Sequence, residues 1–172
     1  FIEQAKAIVG TENVIHYPDD LLVFEYDGSV DRGLPGAVVF PISVEEVSQV
    51  MALAYRESLK VVGRGSGTGL SGGAISSPGG VQIAFTRMHH ILEVNTENRT
   101  ATVEPGVINL DLDTYAHKFG MRYAPDPSSQ KACSLGGNIA ENAGGPHCLA
   151  YGTTTNHVLG MEVVLEDGSI VY

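Results

Sequence analysis

The run of glycines between Gly63 and Gly73, with the sequence GRGSGTGLSGG, constrains the fold more than any other part of the chain. Six of its eleven residues are glycine, which weakens helices and strands, so the run predicts a loop. Backbone amides without side chains can converge on an anion. Arg64 adds a positive charge, and Ser66, Thr68 and Ser71 add hydroxyl donors. We call this run the glycine-rich loop and predict that it binds an anion; the competing interpretation is a mobile surface loop.

Three familiar glycine motifs do not fit this loop. The dinucleotide fingerprint is matched at Gly67-x-Gly69-x-x-Gly72, but it must open a helix, and the Ser-Ser-Pro-Gly-Gly sequence at 76–80 excludes one. The P-loop needs a Gly-Lys pair, and the loop holds no lysine. The nucleophile-elbow pattern Gly69-x-Ser71-x-Gly73 lies too far beyond the preceding strand. A Rossmann fold, a P-loop and a Ser71 hydrolase are therefore not expected.

The order of predicted elements indicates a mixed α+β domain with at least two layers. A strand at Ala37–Phe40 precedes a helix that begins with the capping box Ser43 to Glu46 and runs to Ser58, and a strand at Leu59–Val62 enters the glycine-rich loop. Further predicted elements are a helix at Glu3–Val9 closed by Gly10, strands at Gly80–Phe85, Ile91–Asn95, Thr100–Glu104 and Met161–Leu165, a helix at Leu110–Lys118 capped by Asn109, and a turn at Asp167-Gly168.

Charge and cysteine content exclude several classes of protein. Ten basic and twenty acidic residues give the 172-residue chain a formal charge of −10, and the basic residues form no run, so nucleic-acid and anionic-membrane partners are not expected. Cys133 and Cys148 lack the spacing of a zinc site and are too few for a disulfide framework, and His89, His90 and His157 show no metal-ligand spacing. We therefore expect no metal site and a reducing compartment.

A second segment also has the composition of a phosphate site. Residues 133–146 have the sequence CSLGGNIAENAGGP, which we call the second glycine segment. Gly136-Gly137 is predicted to open a short helix at Asn138–Ala143, with Ser134 as its N-cap or as a phosphate ligand. Small residues that follow leave room for a flat ring; the competing interpretation is a helix packed tightly against a sheet. Two such segments in one small acidic domain favour a large ligand that carries a pyrophosphate.

The glycine-rich loop, the Pro-Asp-Pro-Ser-Ser sequence at 125–129 and the segment Cys133–Gly152 closely resemble the FAD-binding domain of the p-cresol methylhydroxylase and vanillyl-alcohol oxidase superfamily, nearest to its glycolate oxidase and D-lactate dehydrogenase group. The resemblance covers nearly the whole chain. It implies an α+β fold of two subdomains with FAD between them, at about 1–104 and 105–172. The second subdomain is expected to be truncated, and the substrate or cap domain of relatives is expected to be absent.

The resemblance also implies site residues. It assigns the FAD pyrophosphate to Arg64, Gly65, Ser66, Gly67, Thr68, Gly69, Leu70 and Ser71. It assigns the pyrophosphate, ribityl chain and flavin to Pro125, Asp126, Ser134, Gly136, Gly137, Asn138, Asn142, Gly144 and Gly145, and the remaining cofactor to Tyr151, Gly152 and Val158. Other members tether flavin through a histidine in the first loop. No histidine lies between Gly63 and Gly80, so noncovalent FAD is implied. His147 is a candidate tether or proton carrier, and ordinary packing is its alternative role.

The function implied is the FAD-binding portion of a flavin-dependent oxidoreductase that converts a 2-hydroxy acid of the glycolate or D-lactate type into a 2-oxo acid. No catalytic base is named, because relatives orient the substrate in a following domain. The alternatives are a noncatalytic FAD-binding module or subunit of a larger complex, and the UDP-N-acetylenolpyruvylglucosamine reductase type. The expected partners are the hydroxy acid and either other oxidase subunits or an electron acceptor. The expected location is the cytoplasm, with membrane association only through partner subunits.

Overall fold

The computed structural model describes residues 1–172. Its helices are α1 Ile2–Val9, α2 Pro18–Leu21, α3 Val44–Arg56, α4 Asn109–His117, α5 Leu135–Ala140 and α6 Cys148–Tyr151. Its strands are β1 Val14–Ile15, β2 Ala37–Val39, β3 Val61–Arg64, β4 Val81–Ala84, β5 Ile91–Asn95, β6 Thr100–Val103, β7 Val163–Val164 and β8 Ile170–Val171. Short 3₁₀ turns occur at Thr11–Asn13, Leu22–Phe24, Phe85–Arg87 and Thr154–His157. None of the helices is both long and apolar enough to span a bilayer.

The chain forms two compact units, and the first comprises Phe1–Arg87 and Gly160–Tyr172. Its sheet has the order β1-β2-β4-β3, in which β4 pairs in parallel with β2 and with β3, while β1 is antiparallel to β2. All residues of β2 and β4 are buried, which explains why both strands are almost wholly apolar. Val39, Val50, Leu53 and Ile83 lie in the core of this unit.

Helix α3 begins as the capping box predicts, with one difference. The Ser43 hydroxyl accepts the Glu46 amide at 3.3 Å, so Ser43 is the N-cap. The Glu46 carboxylate accepts the amide of Ile42 at 2.8 Å, one residue before the N-cap amide that a capping box would use. The helix ends at Arg56, two residues earlier than predicted, because Ser58 has a positive φ of 55° that no α-helix accommodates.

Strand β3 lies two residues later than predicted. The ladder with β4 pairs Val61 with Val81 and Arg64 with Ala84, and the Val81 amide donates to Lys60 O at 2.8 Å. This register is set by pairing between strands, which local propensity does not contain. As a result Arg64, the first charged residue of the glycine-rich loop, belongs to a strand and is held by its ladder.

The second unit comprises Met88–Leu159. Strands β5 and β6 form an antiparallel hairpin with a register shift between Ile91 and Glu93, and α4, α5 and α6 follow it. Val107, Leu112 and Leu135 form the core of this unit, and Ile91 and Val103 from the hairpin pack against them.

The division into units differs from the boundary expected near residue 105. The hairpin belongs to the later unit because its apolar side chains pack on the core around Val107. The last thirteen residues return to the first unit, where β7 and β8 form a hairpin and the Ser48 hydroxyl donates to Gly168 O at 2.6 Å. The predicted turn at Asp167-Gly168 is confirmed: Gly168 has a φ of 88° and the Ser169 amide donates to Asp167 Oδ1 at 2.9 Å.

Two predicted helix starts in the second unit are wrong. The N-cap of α4 is Ile108, and Asn109 is the first helical residue, with its side chain used for a buried contact elsewhere. Helix α5 begins at Leu135, three residues before the predicted Asn138, because Ser134 forms a bridge with Ile108 and fixes the entry into the helix. In both cases pairing between segments decides where the helix begins.

Candidate functional site

Arg64 is a buried cation without a hydrogen bond. It is 8% exposed, its Nη1 is buried without a partner, and none of its side-chain nitrogens donates within the chain. Its Cζ lies 5.6 Å from the centroid of the Phe24 ring. Burial lowers the pKa of the guanidinium, while Asp27 and then Tyr26 raise it. A buried charge without polar partners is costly, and an anionic partner would offset that cost.

The backbone of the glycine-rich loop offers donors beside this cation. None of the amides from Gly65 to Gly73 donates a hydrogen bond within the chain. A Cβ at Gly67, whose φ is 67°, would lie 2.5 Å from Arg64 Nη2, so only glycine lets the loop rest against the guanidinium. Free amides next to an unpaired cation form the chemistry of a phosphate site, and these residues fit a pyrophosphate group.

The loop also leaves space for a ligand. Ser66, Leu70 and Ser71 are exposed, while Gly65, Gly67, Thr68 and Gly69 are partly buried. A Cβ at Gly69 would meet no atom within 4 Å, so the loop surface is open at this point. The predicted residues Arg64 to Ser71 therefore lie together in the first unit, with hydroxyls, amides and one guanidinium available.

Two residues that support this loop were missed from the sequence. Asp27 is 8% exposed and accepts the amides of Ser29 at 2.7 Å and Ala74 at 3.4 Å. Gln82 is fully buried and donates to Phe24 O at 2.8 Å and Ala74 O at 3.1 Å. The available signals were an Asp-Gly-Ser turn sequence at 27–29 and a glutamine inside an apolar strand.

The second glycine segment has fewer free amides than predicted. The first-turn amides of Leu135 and Gly136 donate to Val107 O and Pro105 O, each at 2.8 Å. A Cβ at Gly136 would lie 2.8 Å from Pro105 Cβ, so this glycine permits close packing of two backbones. Ser134 is buried and its hydroxyl does not cap the helix. Of the predicted anion donors at the start of α5, the Gly137 amide is the one without a partner.

Asn138 holds the second glycine segment in place from inside the core. Its Oδ1 accepts Asn109 Nδ2 at 2.9 Å and Cys133 Sγ at 3.5 Å. Asn109 Nδ2 also donates to Pro125 O at 3.1 Å, and Asn109 Oδ1 is buried without a partner. The sequence predicted Asn109 only as a helix cap. The pair joins α4, α5 and the Pro-Asp-Pro sequence into one scaffold.

Asp126 lies against the end of the second glycine segment. A Cβ at Gly145 would lie 2.0 Å from Asp126 O, so the two backbones touch. The Asp126 carboxylate accepts the His147 ring nitrogen and, at 3.2 Å, the His147 amide. Desolvation raises the pKa of Asp126. The hydrogen bonds and the charge of His147 lower the pKa by more than desolvation raises it, so the net shift is downward. The ring and the amide of His147 therefore both have a hydrogen-bond partner here.

The remaining predicted residues lie in the same unit. Gly144 allows the Cys148 thiol to approach, since a Cβ there would lie 2.9 Å from Sγ. Asn142 has a φ of 49° and accepts the Thr155 amide at 3.1 Å. Tyr151 is exposed, Gly152 has a φ of 84°, and Val158 is partly buried.

Comparison with known proteins agrees with this chemistry. The family model described as "FAD binding domain" matches residues 35–172. The chain is 42% identical over 170 residues to glycolate oxidase subunit GlcD of Bacillus subtilis, covering 98% of this chain and 36% of the relative. It is 42% identical over 171 residues to D-lactate dehydrogenase of Anaerostipes hadrus, covering 99% of this chain and 34% of the relative. The chain thus spans about a third of the length of these relatives.

The fold is also found in a solved structure. Substrate-bound p-cresol methylhydroxylase superposes with a TM-score of 0.86 at 22% identity, over 99% of this chain and 34% of that one. This similarity confirms the predicted α+β fold class. With a family match over most of its length, the chain belongs to the family described as "FAD binding domain".

Proposed function

We propose that the chain is the FAD-binding portion of a flavin-dependent oxidoreductase that oxidises a 2-hydroxy acid, of the glycolate or D-lactate type, to the 2-oxo acid. The relatives named glycolate oxidase subunit and D-lactate dehydrogenase support this substrate class. The oxidation removes two electrons and two protons from the carbinol group of the substrate, and FAD supplies the acceptor when bound.

The single observation that carries the proposal is the unpaired guanidinium of Arg64 beside the free amides of Gly65 to Gly73. We assign the pyrophosphate of FAD to Arg64 and the loop as far as Ser71. Charge-assisted hydrogen bonds to the diphosphate would remove the cost of the buried cation. The hydroxyls of Ser66, Thr68 and Ser71 are further donors toward the same group.

The second group of cofactor ligands is assigned in the second unit. The Gly137 amide is a free donor, and Asn138 and Pro125 are held by Asn109. Asp126 and Gly145 are in direct contact. We assign these residues, with Ser134, Gly136, Asn142, Gly144, Tyr151, Gly152 and Val158, to the rest of the cofactor. In this proposal their task is to orient FAD, while the groups that bind the substrate lie on other residues of the enzyme.

The FAD is proposed to be noncovalent, because no histidine occurs between Gly63 and Gly80 and the His147 ring is paired with Asp126. The protein is purified without added flavin, and its visible spectrum is recorded before and after acid precipitation. Flavin absorbance that moves entirely to the supernatant supports noncovalent FAD. Colour retained in the pellet rejects the noncovalent assignment, and a protein that stays colourless and binds no added FAD rejects the function.

A noncatalytic role in a larger complex is the second candidate, because the Bacillus subtilis relative is named a subunit. The FAD-loaded protein, as the full-length polypeptide that contains this chain, is mixed with glycolate or D-lactate, without oxygen, and flavin bleaching is followed. Bleaching by either acid supports the oxidoreductase. Stable FAD binding without bleaching favours the cofactor-holding subunit, whose partner subunits would then supply the substrate site. The cytoplasmic location remains a prediction.

A further inference from the structure

We propose that Asp27 is a positioning residue for the cofactor. It fixes the end of the glycine-rich loop and forms no ion pair with Arg64, so that the loop amides and the guanidinium stay free to bind the pyrophosphate. The inference rests on the proposed function. Asp27 lies before the matched family region, which starts at residue 35, so no match to that family assigns it a role.

The Asp27 carboxylate ties two distant segments together. Its Oδ1 accepts the amide of Ser29 at 2.7 Å, which closes a tight turn, and its Oδ2 accepts the amide of Ala74 at 3.4 Å, 47 residues away. Ala74 directly follows the last glycine of the loop. One buried carboxylate therefore fixes the point where the glycine-rich loop ends.

The backbone around Asp27 lies directly against the loop. A Cβ at Gly28 would lie 2.8 Å from Gly69 O and 3.0 Å from Thr68 O. A Cβ at Gly33 would lie 2.0 Å from Ser76 O. Because neither glycine has a side chain, the segment approaches the backbone of the loop and of Ser76 closely, and it supports a loop whose own amides from Gly65 to Gly73 make no bonds within the chain.

Asp27 also compensates the charge of Arg64 from a distance. The two side chains form no ion pair, yet each stabilises the charged form of the other. Desolvation raises the pKa of Asp27, but hydrogen bonds from Ser29 and Ala74, with a smaller contribution from Arg64, lower it below its usual value. Since amides already satisfy the carboxylate, it does not compete for the guanidinium donors. A contacting salt bridge would occupy those donors and oppose an incoming phosphate.

A purely structural aspartate would have a different signature from a positioning residue. If Asp27 only stabilised the first unit, its loss would weaken every flavin equally. If it positions the pyrophosphate loop, its loss weakens ligands that carry the pyrophosphate and spares those that lack it. FAD and riboflavin separate the two cases, because both carry the same ring and only FAD has the diphosphate.

The test uses flavin-free protein with Asp27→Asn, which removes the charge while keeping one acceptor oxygen, and Asp27→Ala, which removes both. Asp19→Asn is the charge control, because Asp19 is exposed on α2 in the same unit and lies against none of the glycines of the loop. Dissociation constants for FAD and riboflavin are measured by flavin fluorescence, and urea unfolding shows which variants are folded. Hydrogen exchange reports FAD-dependent protection of the amides of Gly65 to Gly73.

The expected result is FAD binding weakened at least tenfold by Asp27→Ala and by a smaller factor by Asp27→Asn, with riboflavin binding within twofold of the parent and Asp19→Asn unchanged. Equal losses for both flavins, or FAD affinities of both Asp27 variants within twofold of the control, overturn the positioning role. Failure of the proposed function is a separate outcome: the parent protein then binds no FAD, or binds it without protecting the loop amides.

Discussion

Asn109 donates its side-chain amide to Asn138 Oδ1 at 2.9 Å inside a core where both residues are almost fully buried. The same amide group donates to Pro125 O at 3.1 Å. Two segments assigned to the cofactor, those of Pro125 and Asn138, therefore depend on one side chain in α4 that is not itself assigned to the cofactor. Such a buried polar network specifies a unique arrangement, because each group left without its partner carries the full cost of desolvation.

Replacement of Asn109 by alanine is expected to destabilise the second unit. The change removes both donations. Pro125 O loses its Asn109 donor, which costs about 1–3 kcal/mol for a buried unsatisfied group, and Asn138 Oδ1 keeps only the longer contact from Cys133 Sγ. The free energy of unfolding is measured in urea with far-UV circular dichroism. Asn98→Ala, at an exposed position in the β5–β6 turn, is the control. Equal stabilities of the two variants would show that the buried pair contributes nothing.

Replacement of Arg64 by methionine is expected to separate stability from binding. Methionine keeps much of the buried chain but removes a cation that has no hydrogen bond, so the flavin-free protein should be as stable as the parent or more stable. FAD affinity should fall at least tenfold, which corresponds to about 1.4 kcal/mol. Urea unfolding without flavin and titration with FAD measure the two quantities.

Arg56→Met is the control for Arg64→Met, because Arg56 is exposed at the end of α3 in the same unit. It should change neither quantity by a significant amount. A loss of apoprotein stability with unchanged FAD affinity in Arg64→Met would mean that the guanidinium serves the fold alone.

The sequence predicted the parts of the fold that short-range signals determine. Ser43 caps α3, and the Asp167-Gly168 turn closes the last hairpin, because the partners of each lie within a few residues. The starts of α4 and α5 were missed because pairing between Ile108 and Ser134 determines both. Ile108 and Ser134 are 26 residues apart in the sequence. A helix start that depends on so distant a segment leaves no local signal.

The candidate site was predictable to a similar degree. The glycine-rich loop is recognisable because consecutive glycines have few structural uses. Its two supporting residues were missed, because their partners are distant in sequence: Asp27 contacts Ala74 across 47 residues and Gln82 contacts Phe24 across 58. The local signals, a turn sequence and a polar residue in a strand, do not identify those partners. The buried state of Arg64 was also hidden, because it follows from the register of β3 against β4.

Replacement of Gly69 by alanine tests whether the open side of the loop receives the cofactor. An added Cβ meets no protein atom within 4 Å and φ is not positive, so the free energy of unfolding should change by less than about 0.5 kcal/mol. The methyl group projects into the space assigned to FAD, so FAD affinity should fall severalfold. Gly160→Ala is matched, because its Cβ also meets open space and φ is not positive. Equal FAD affinities for the two variants would argue against cofactor contact at Gly69.

The hydrogen-bonded contact between Asp126 and His147 predicts an acid-sensitive contribution to stability. Because the pKa of Asp126 in the folded protein lies below its usual value of 3.8, ionised Asp126 stabilises the fold above that value. The contribution is lost as the pH falls through the lowered pKa, where the folded state must also take up the proton. The contribution of ionised Asp126 to the difference in unfolding free energy between the parent and Asp126→Asn should therefore be constant from pH 5 to 7. This difference should shrink below about pH 4.

His147→Ala separates the cause of this shift from the burial of Asp126. Desolvation raises the pKa of Asp126, and His147 supplies the opposing hydrogen bonds and charge, so removing the imidazole should move the pKa upward. Carbon-detected NMR of the Asp126 carboxyl in the parent and the variant gives both titration midpoints. His117→Ala is the control, because His117 lies 3.9 Å from Asp113 and has no contact with Asp126. A midpoint that stays depressed in His147→Ala would assign the shift to backbone amides, and the imidazole would then be free for another role.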